Sequence, residues 1–421
     1  MPTQDLARRV VVTGIGAVTP VGHNAPDTWQ AFLAGVSGGG PITAFDAATF
    51  EVRIAAEVKN WDPTVAIDRK NIRRTSRFIH LGIAAGKEAV AASGIDFASM
   101  DQDERDRVGV VVNTGGGGLE QIIEGSRTLD TKGPRFVSPF AVPALSASMA
   151  ACHLSMLYGL NGPVITQIAA CASSVISFID AHRLIASGEC DVVLCGGTEA
   201  PLMPMAIAAL GNMGALSQRN DEPTRASRPF DRTRDGFLFG EGAAIFVLES
   251  AEHALKRGAT IDCEVVGGAM TSDAYHISAP EPSGRNQARA MVKAVNGAGY
   301  TMDEVDYIVA HGTSTPLNDA TETRAIKTAF GDHAYKVPIS SPKSMVGHLL
   351  GGAGAMSALA AVGTIRDGWI SPTINLHDPD PECDLDYTPN VKRQKKVDLA
   401  IINGFGFGGQ NAVAVFRRFE V

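Results

Sequence analysis

The chain is short of charge, of aromatic rings and of paired cysteine motifs. Charged residues make up 19% of its 421 positions and aromatic ones 6%. Lys and Arg number 37 against 45 Asp and Glu, a net charge of −8. That balance excludes a nucleic-acid binder working through bulk positive charge. No C-x-x-C pair occurs among the six cysteines, which argues against a zinc ribbon or a thioredoxin-type motif. Cys152, Cys171, Cys190, Cys195, Cys263 and Cys383 are scattered, as reduced thiols of a cytoplasmic protein are expected to be. The opening MPTQDLARRVVVTG has no apolar core of the signal-peptide kind. Long apolar runs are also missing. Phe136 to Ile179 holds no Asp, Glu, Lys or Arg, yet Pro139, Pro143, Gly159, Gly162 and Pro163 interrupt it. No clean run reaches the ~20 residues that span a bilayer, so no membrane segment is expected. This stretch reads as elements buried in a large core or a subunit interface.

What is present is glycine, 45 residues of it, above the usual ~7%. Such enrichment suits tight turns and close backbone approach around a site. The length suggests roughly two to three core-sized units. Strands are predicted at Val10–Val12, Val108–Asn113, Val164–Ile168, Cys190–Cys195 and Ala243–Leu248, with helices at Ile72–Ser93, Ala144–Tyr158 and Cys171–Ser187. The pattern restarts with strands at Ile261–Val266, Tyr307–Ala310, Leu399–Ile402 and Ala412–Phe416, and helices at Arg285–Gly297, Ala320–Phe330 and Leu349–Arg366. Alternating strands and helices predict α/β layers. Each half sets a long Ala/Gly-rich helix behind a short turn, Ala170-Cys171-Ala172 and Val346-Gly347-His348. The expectation is a duplicated α/β architecture, residues 1–258 and 259–421, sharing one body.

Cys171 follows a strand and opens a helix, where the helix dipole favours a thiolate. The ordinary reading of a lone cysteine is a buried structural thiol, and the other five receive it. His311 and His348 lie at strand-to-loop and loop-to-helix joins, where sites are commonly built. Together with Cys171 they could also ligate a metal, although no local ligand pair exists. His80, His153, His182 and His253 lie within predicted helices. Gly404-Phe405-Gly406-Phe407-Gly408-Gly409-Gln410 matches G-x-G-x-x-G, but too little chain follows for a βαβ unit. It reads as a hairpin whose glycines admit close backbone approach.

In order along the chain, the Cys171 turn, Arg228-Pro229-Phe230-Asp231 with Arg234-Asp235-Gly236-Phe237, His311-Gly312-Thr313-Ser314-Thr315-Pro316, Lys343-Ser344-Met345-Val346-Gly347-His348-Leu349 and the Phe405–Gly409 loop resemble the β-ketoacyl-acyl-carrier-protein synthases of the thiolase superfamily. The elongating type II is the nearest form, and the resemblance runs nearly end to end. It implies a thiolase-like five-layered αβαβα sandwich, usually a homodimer. It implies that Cys171 takes an acyl group from a carrier-protein thioester. His311 and His348 would bind the malonyl thioester carbonyl and promote decarboxylation to an enolate, giving 3-ketoacyl carrier protein and carbon dioxide. An enolate needs preorganised donors in a water-poor cavity, and covalent capture divides the reaction in two. The backbone amides of Cys171 and Phe407 would form a second oxyanion hole. Lys343 and Glu322 match a supporting pair, Thr313 and Thr315 match contacts to the pantetheine arm, Phe407 matches a gating phenylalanine, and Leu210 an acyl-pocket residue.

Lys70, Arg73 and Arg74, with Arg69 and Arg77, match basic family positions that dock an acidic carrier protein; Arg135 is expected to join them. The bland alternative is a solvated helix face. Gly116 departs from the family, because many elongating synthases carry isoleucine there, and its absence predicts a deeper acyl pocket. No organic cofactor or catalytic metal is implied; some relatives hold a structural monovalent cation, with ligands that cannot be assigned here. The competing readings are a type II polyketide ketosynthase paired with a chain-length factor, and a non-catalytic partner subunit. The Thr-Ser-Thr-Pro run favours the fatty-acid form, and the intact Cys171, His311 and His348 count against an inactive partner. A priming synthase would carry Cys-His-Asn, and a plain thiolase a second cysteine near the last loop.

Overall fold

Ten strands of the computed structural model, which describes residues 6–420, join in one sheet. The first five are β1 (Val10–Val18), β2 (Val108–Asn113), β3 (Val164–Ile165), β4 (Val192–Glu199) and β5 (Gly242–Ser250). The second five are β6 (Cys263–Ser272), β7 (Tyr307–Val309), β8 (Ile339–Ser340), β9 (Leu399–Gly406) and β10 (Gln410–Arg417). Their order is β8-β7-β9-β10-β6-β1-β5-β4-β2-β3. Each set of five repeats the other's order. Each also repeats its pairing: β2 is parallel to β3 and β4, as β7 is to β8 and β9. The remaining pairs, β4 with β5, β5 with β1, β9 with β10 and β10 with β6, are antiparallel. The sets meet where Val10–Val12 runs antiparallel to Cys263–Val265.

Side-chain alternation along these strands creates three apolar cores. Val193 and Cys195 of β4 face a central core with Ala400 and Ile402 of β9. Val192 and Leu194 face a second core on the other side, and Leu399 and Ile401 face a third. Helices α1 (Arg77–Ser93), α2 (Leu119–Lys132), α3 (Met149–Tyr158), α4 (Ser173–Ala186), α5 (Pro204–Asn212), α6 (Arg285–Gly297), α7 (Pro316–Phe330) and α8 (Ala353–Asp367) complete the layers. Residues of α1 and α3 fill the second core, those of α6 and α7 the third, and those of α4 and α8 the centre. The result is the five-layered αβαβα sandwich. Every residue of α8 from Ala353 to Ile365 is buried, as a helix apolar on all sides requires.

Three elements break where the sequence predicts continuity. The Ile72–Ser93 helix divides into a turn, Arg69–Ile72, and α1. Between them, Ser76 spends its hydroxyl on the Ala144 carbonyl at 2.6 Å. The Ala144–Tyr158 helix divides at Ser146, whose hydroxyl pairs with that of Ser148 at 3.0 Å. Ser146, bonding locally, competes with helix continuation, whereas Ser76 is held by a contact distant in sequence. Strand β3 stops at Ile165 because side-chain bonds replace the ladder: Thr166 Oγ1 donates to the Val112 carbonyl, and Gln167 N–H to Asn113 Oδ1, both at 2.8 Å. The uncharged stretch around it is buried only in part. Phe136, Phe140, Val142, Met156, Leu157, Val164 and Ile168 are exposed.

Candidate active site

Two strand-to-helix connections, one in each half, carry the candidate residues. After β3, a tight turn Ala170–Ala172 leads into α4, with Ala170 at φ 47°. This left-handed backbone turns the Cys171 side chain out of the helix and into a cavity of about 300 Å³. After β8, the helical turn Lys343–Val346 ends at Gly347, φ 71°, and delivers His348. A side chain at Gly347 would meet the Leu238 carbonyl at 2.7 Å. His311 stands at the end of β7.

These turns converge. His348 Nε2 lies 3.0 Å from Cys171 Sγ. The His311 and His348 rings are perpendicular, with centroids 5.5 Å apart. All three residues are buried, and Phe237 and Phe405 pack edge-on or tilted against His348 and His311. Burial pushes the Cys171 thiol up to about 11, against the Lys343 charge and the backbone N–H groups of Phe407 and Cys171, which face the sulfur and pull it down. The helix-dipole expectation of a resting thiolate is therefore corrected: desolvation of the charged form wins. Burial also holds both imidazoles well below their usual range, helped by the Lys343 ammonium and, for His311, by His348. At neutral pH each is uncharged, with one N–H to donate and one lone pair. Lys343 itself is lowered to about 8 by burial, with Glu322 and Cys171 opposing.

Glu322 acts on the backbone. It accepts from His311 N–H at 2.7 Å, Gly312 N–H at 2.8 Å and Asn403 Nδ2 at 3.0 Å. Lys343 Nζ has no hydrogen-bond partner. The two are thus near one another electrostatically but are not a hydrogen-bonded pair. The Arg228–Phe237 segment braces the loop after His311: Arg228 N–H donates to Ser314 Oγ at 2.9 Å, and Arg234 donates to the Thr315 and Pro316 carbonyls at 3.1 and 3.0 Å. The last hairpin approaches the nucleophile closely, since a side chain at Gly406 would meet the Ala169 carbonyl at 2.7 Å.

Cys171, His311, His348, Thr313, Thr315 and Phe407 all line the one cavity. Thr313 and Thr315 share a hydroxyl hydrogen bond of 3.0 Å. Gly116 and Leu210 lie outside its lining. Gly116 sits beside Leu119 and Glu199, and Leu210 packs on α5 among Val52, Ile54 and Phe237. The cysteine sulfur and the histidine nitrogens come within 4.8 Å of one another, close enough for metal ligation, but the Lys343 charge acts on all three groups and opposes a divalent cation there. Of the basic cluster, Arg69, Lys70, Arg73, Arg74 and Arg135 are exposed. Arg77 is not available: it forms a two-pronged pair with Glu241 at 2.7 Å. The Arg74 guanidinium lies 4.8 Å over the Phe140 ring, which ties the cluster to the segment bearing Arg135.

Residues without a motif also belong here. Asn403 completes the Glu322 cradle, and buried Glu199 accepts from Thr114, Gly115, Gly116 and Gly351. Neither stands out in sequence: Asn403 is one polar residue within the strand Leu399–Gly406, and Glu199 is the last residue of Val192–Glu199. Phe237 and Phe405 sit inside recognisable motifs, without spacing that marks them as ring contacts.

Comparison with known proteins agrees with this geometry. The β-ketoacyl synthase N-terminal domain matches residues 7–254 and the C-terminal domain residues 262–377. A 3-oxoacyl-[acyl-carrier-protein] synthase 2 from Synechocystis sp. is 47% identical over 98% of this chain and 99% of its own length. One of the same name from Coxiella burnetii is 46% identical over 98% and 99%. Among solved structures, a type II polyketide ketosynthase in complex with its acyl-carrier protein superposes with a TM-score of 0.90 at 32% identity, covering 98% of this chain and all of that one. A β-ketoacyl synthase from Burkholderia phymatum gives 0.90 at 34%, with the same coverage. With both family domains matched in order and near-half identity over almost the whole length, the chain belongs to the β-ketoacyl synthases.

Proposed function

We propose that this protein elongates fatty acyl chains by decarboxylative Claisen condensation. Cys171 Sγ attacks an acyl thioester on a carrier protein, the C–S bond to the carrier breaks, and the thiol proton leaves with the carrier sulfur through His348. Malonyl-carrier protein then enters. Its thioester oxygen accepts from the neutral imidazoles of His311 and His348, its carboxyl C–C bond breaks, and carbon dioxide departs. The enolate carbon attacks the acyl carbonyl on Cys171, whose developing oxyanion takes the amides of Cys171 and Phe407. The C–S bond breaks, the 3-ketoacyl carrier protein leaves, and the Cys171 thiolate takes up from solvent the one proton that the overall condensation consumes. Neutral donors suit this chemistry, because a cationic imidazole would hold the malonyl carboxylate in place. The observation that carries the reading is the 3.0 Å approach of His348 Nε2 to Cys171 Sγ inside a buried cavity shared with His311.

Lys343 supplies the positive potential and Glu322 fixes the His311 loop; Thr313 and Thr315 meet the pantetheine arm. The scheme draws on these side chains, on the backbone amides of Cys171 and Phe407 and on one solvent proton, and it calls on no organic cofactor or catalytic metal. Lys70, Arg73, Arg74 and Arg135 dock an acidic carrier protein. Gly116 and Leu210 belong to the acyl side of the nucleophile. The halves divide near Gly258-Ala259. Sheet edge β3 carries no further strand and is surrounded by exposed apolar residues, which supports a homodimer through that edge. Among the described residues no helix is long and apolar enough to cross a membrane. The cytoplasm is the compartment proposed, because the six scattered cysteines are free thiols. Identity of 46–47% to synthase 2 proteins, against 32–34% to polyketide ketosynthases, favours the fatty-acid reading over the polyketide one.

Intact-mass spectrometry tests it. Wild type incubated with acyl-carrier proteins gains an acyl adduct, which malonyl-carrier protein discharges as a ketoacyl product; Cys171→Ala gains none. An adduct that persists on Cys171→Ala, or no ketoacyl product from wild type, overturns the reading.

A further inference from the structure

The cavity wall carries one polar side chain that the scheme above leaves unused. Gln287 lies in the first turn of α6 and lines the cavity with His311, Thr313 and Asn318. It is 1% exposed, and among the described residues neither its Oε1 nor its Nε2 has a hydrogen-bond partner. Among the described cavity-lining residues, only His311 and His348 share that condition, each at Nδ1. The other polar groups of the wall are engaged: Asp273 with Asn411 at 2.7 Å and Glu281 N–H at 3.1 Å, Thr313 with Thr315, Asn318 with Asp319 at 3.1 Å. A buried amide with neither atom paired is costly. Its persistence at a substrate cavity points to a ligand that completes it.

The identity of that ligand group follows from what an amide needs. A malonyl carboxylate or a thioester carbonyl only accepts, and would leave Oε1 bare in a dry wall. A secondary amide brings an N–H that can donate to Oε1; its own carbonyl, trans to that N–H, points away, so Nε2 is left to donate to a neighbouring carbonyl of the same ligand. The arm that carries both substrates contains such amides, the first of them only a short step from the thioester sulfur. We propose that Gln287 is a specificity residue that binds this first amide of the carrier arm, so that the thioester reaches His311 and His348 in register. This assignment rests on the condensing function proposed above.

The test removes the amide from either side. Cys171 is preloaded with an acyl group, and single-turnover condensation is measured with malonyl N-acetylcysteamine thioester, which keeps the amide, and malonyl ethyl thioester, which lacks it. The readout is the ratio of the two kcat/KM values. In Gln287→Leu and Gln287→Met that ratio falls about three- to tenfold from wild type, the worth of one neutral hydrogen bond. A ratio unchanged in both variants overturns the proposal, since a merely structural glutamine would slow both substrates alike. A wild type that condenses neither of these nor malonyl-carrier protein overturns the condensing reading itself, and this assignment with it.

Discussion

The two halves of the sheet repeat one another up to their corresponding turns, and there they diverge. The turn Ala170–Ala172 ahead of α4 corresponds to Leu350–Gly352 ahead of α8. Both are entered through a left-handed residue, Ala170 at φ 47° and Leu350 at φ 44°. Cys171 therefore has Gly351 as its counterpart. In the first half a thiol meets backbone N–H groups at the end of β9. In the second, the Gly351 N–H meets a carboxylate, Glu199 Oε2, at the end of β4, at 3.0 Å. A side chain at Gly351 would meet Gly115 N at 2.0 Å, so that position has no room for a second nucleophile. The duplicated frame thus gives one turn to the thiol that the proposed mechanism acylates and the other to holding the two halves in register. The second half instead contributes its chemistry from the loops around that turn, His311 and His348.

This division of labour makes its largest prediction at His311. His311→Ala removes an oxyanion donor without touching Cys171, so acyl loading persists while condensation falls by ~10²–10³-fold, the cost of losing one such donor. Burst acylation followed by quenched-flow measurement of ketoacyl product separates the steps. Equal loss in loading and condensation would show that both halves serve the nucleophile.

The outer edges contrast as well. In the second half, Ile339 and Ser340 of β8 are fully buried, and a later segment covers that edge: Ile339 N–H donates to the Asp386 carbonyl at 2.8 Å, and Ser341 N–H to Thr373 Oγ1 at 3.1 Å. In the first half, β3 ends the sheet with Val164 and nearby Ile168, Met156 and Phe136 exposed. One edge is closed by the chain itself; the other is open, and it is there that the proposed homodimer would meet. Val164→Lys with Ile168→Lys places charges in that seam and weakens self-association by about a hundredfold even where only one of the two side chains is fully buried there, at ~1.5–3 kcal/mol for such a side chain. Light scattering across a concentration series reads it. An unchanged mass at low concentration would put the dimer elsewhere.

Much of this arrangement is legible in the sequence because it is made of motifs with local physics. A strand, a turn and a helix around Cys171, and Gly347 just before His348, announce themselves within a few residues. What is not legible depends on long-range contacts. The sequence reads as one helix from Ile72, but Ser76 bonds Ala144, the basic cluster divides there, and Arg77 pairs with Glu241. The sign of the Cys171 shift depends on how much protein covers it, which no local pattern records. Glu199, Asn403 and Gln287 look like ordinary polar residues until folding brings them to the cavity and its supports.

The smallest predicted effect concerns Gly116, where the sequence suggests more open space than the structure provides. Gly116 lies in the loop after β2, its N–H donating to Glu199 Oε1 at 3.3 Å. A β-carbon there would lie 3.0 Å from Leu119 Cδ1 and 3.8 Å from Glu199 Oε1. Leu119 therefore borders the room that a missing side chain would open, and its flexible tip decides how deep the acyl side becomes. A long acyl chain would have to move that tip, whereas a short one would stop before it. Gly116→Ile fixes Leu119 against the loop, so turnover of long acyl chains falls about tenfold, the scale of a methylene-sized clash in an apolar pocket. Turnover of short chains stays near wild type. Competition between short and long acyl-carrier proteins, read by product mass, measures that ratio directly. Equal retention of both would mean that the acyl chain runs away from Gly116, and that the glycine serves only the Glu199 clamp between the halves.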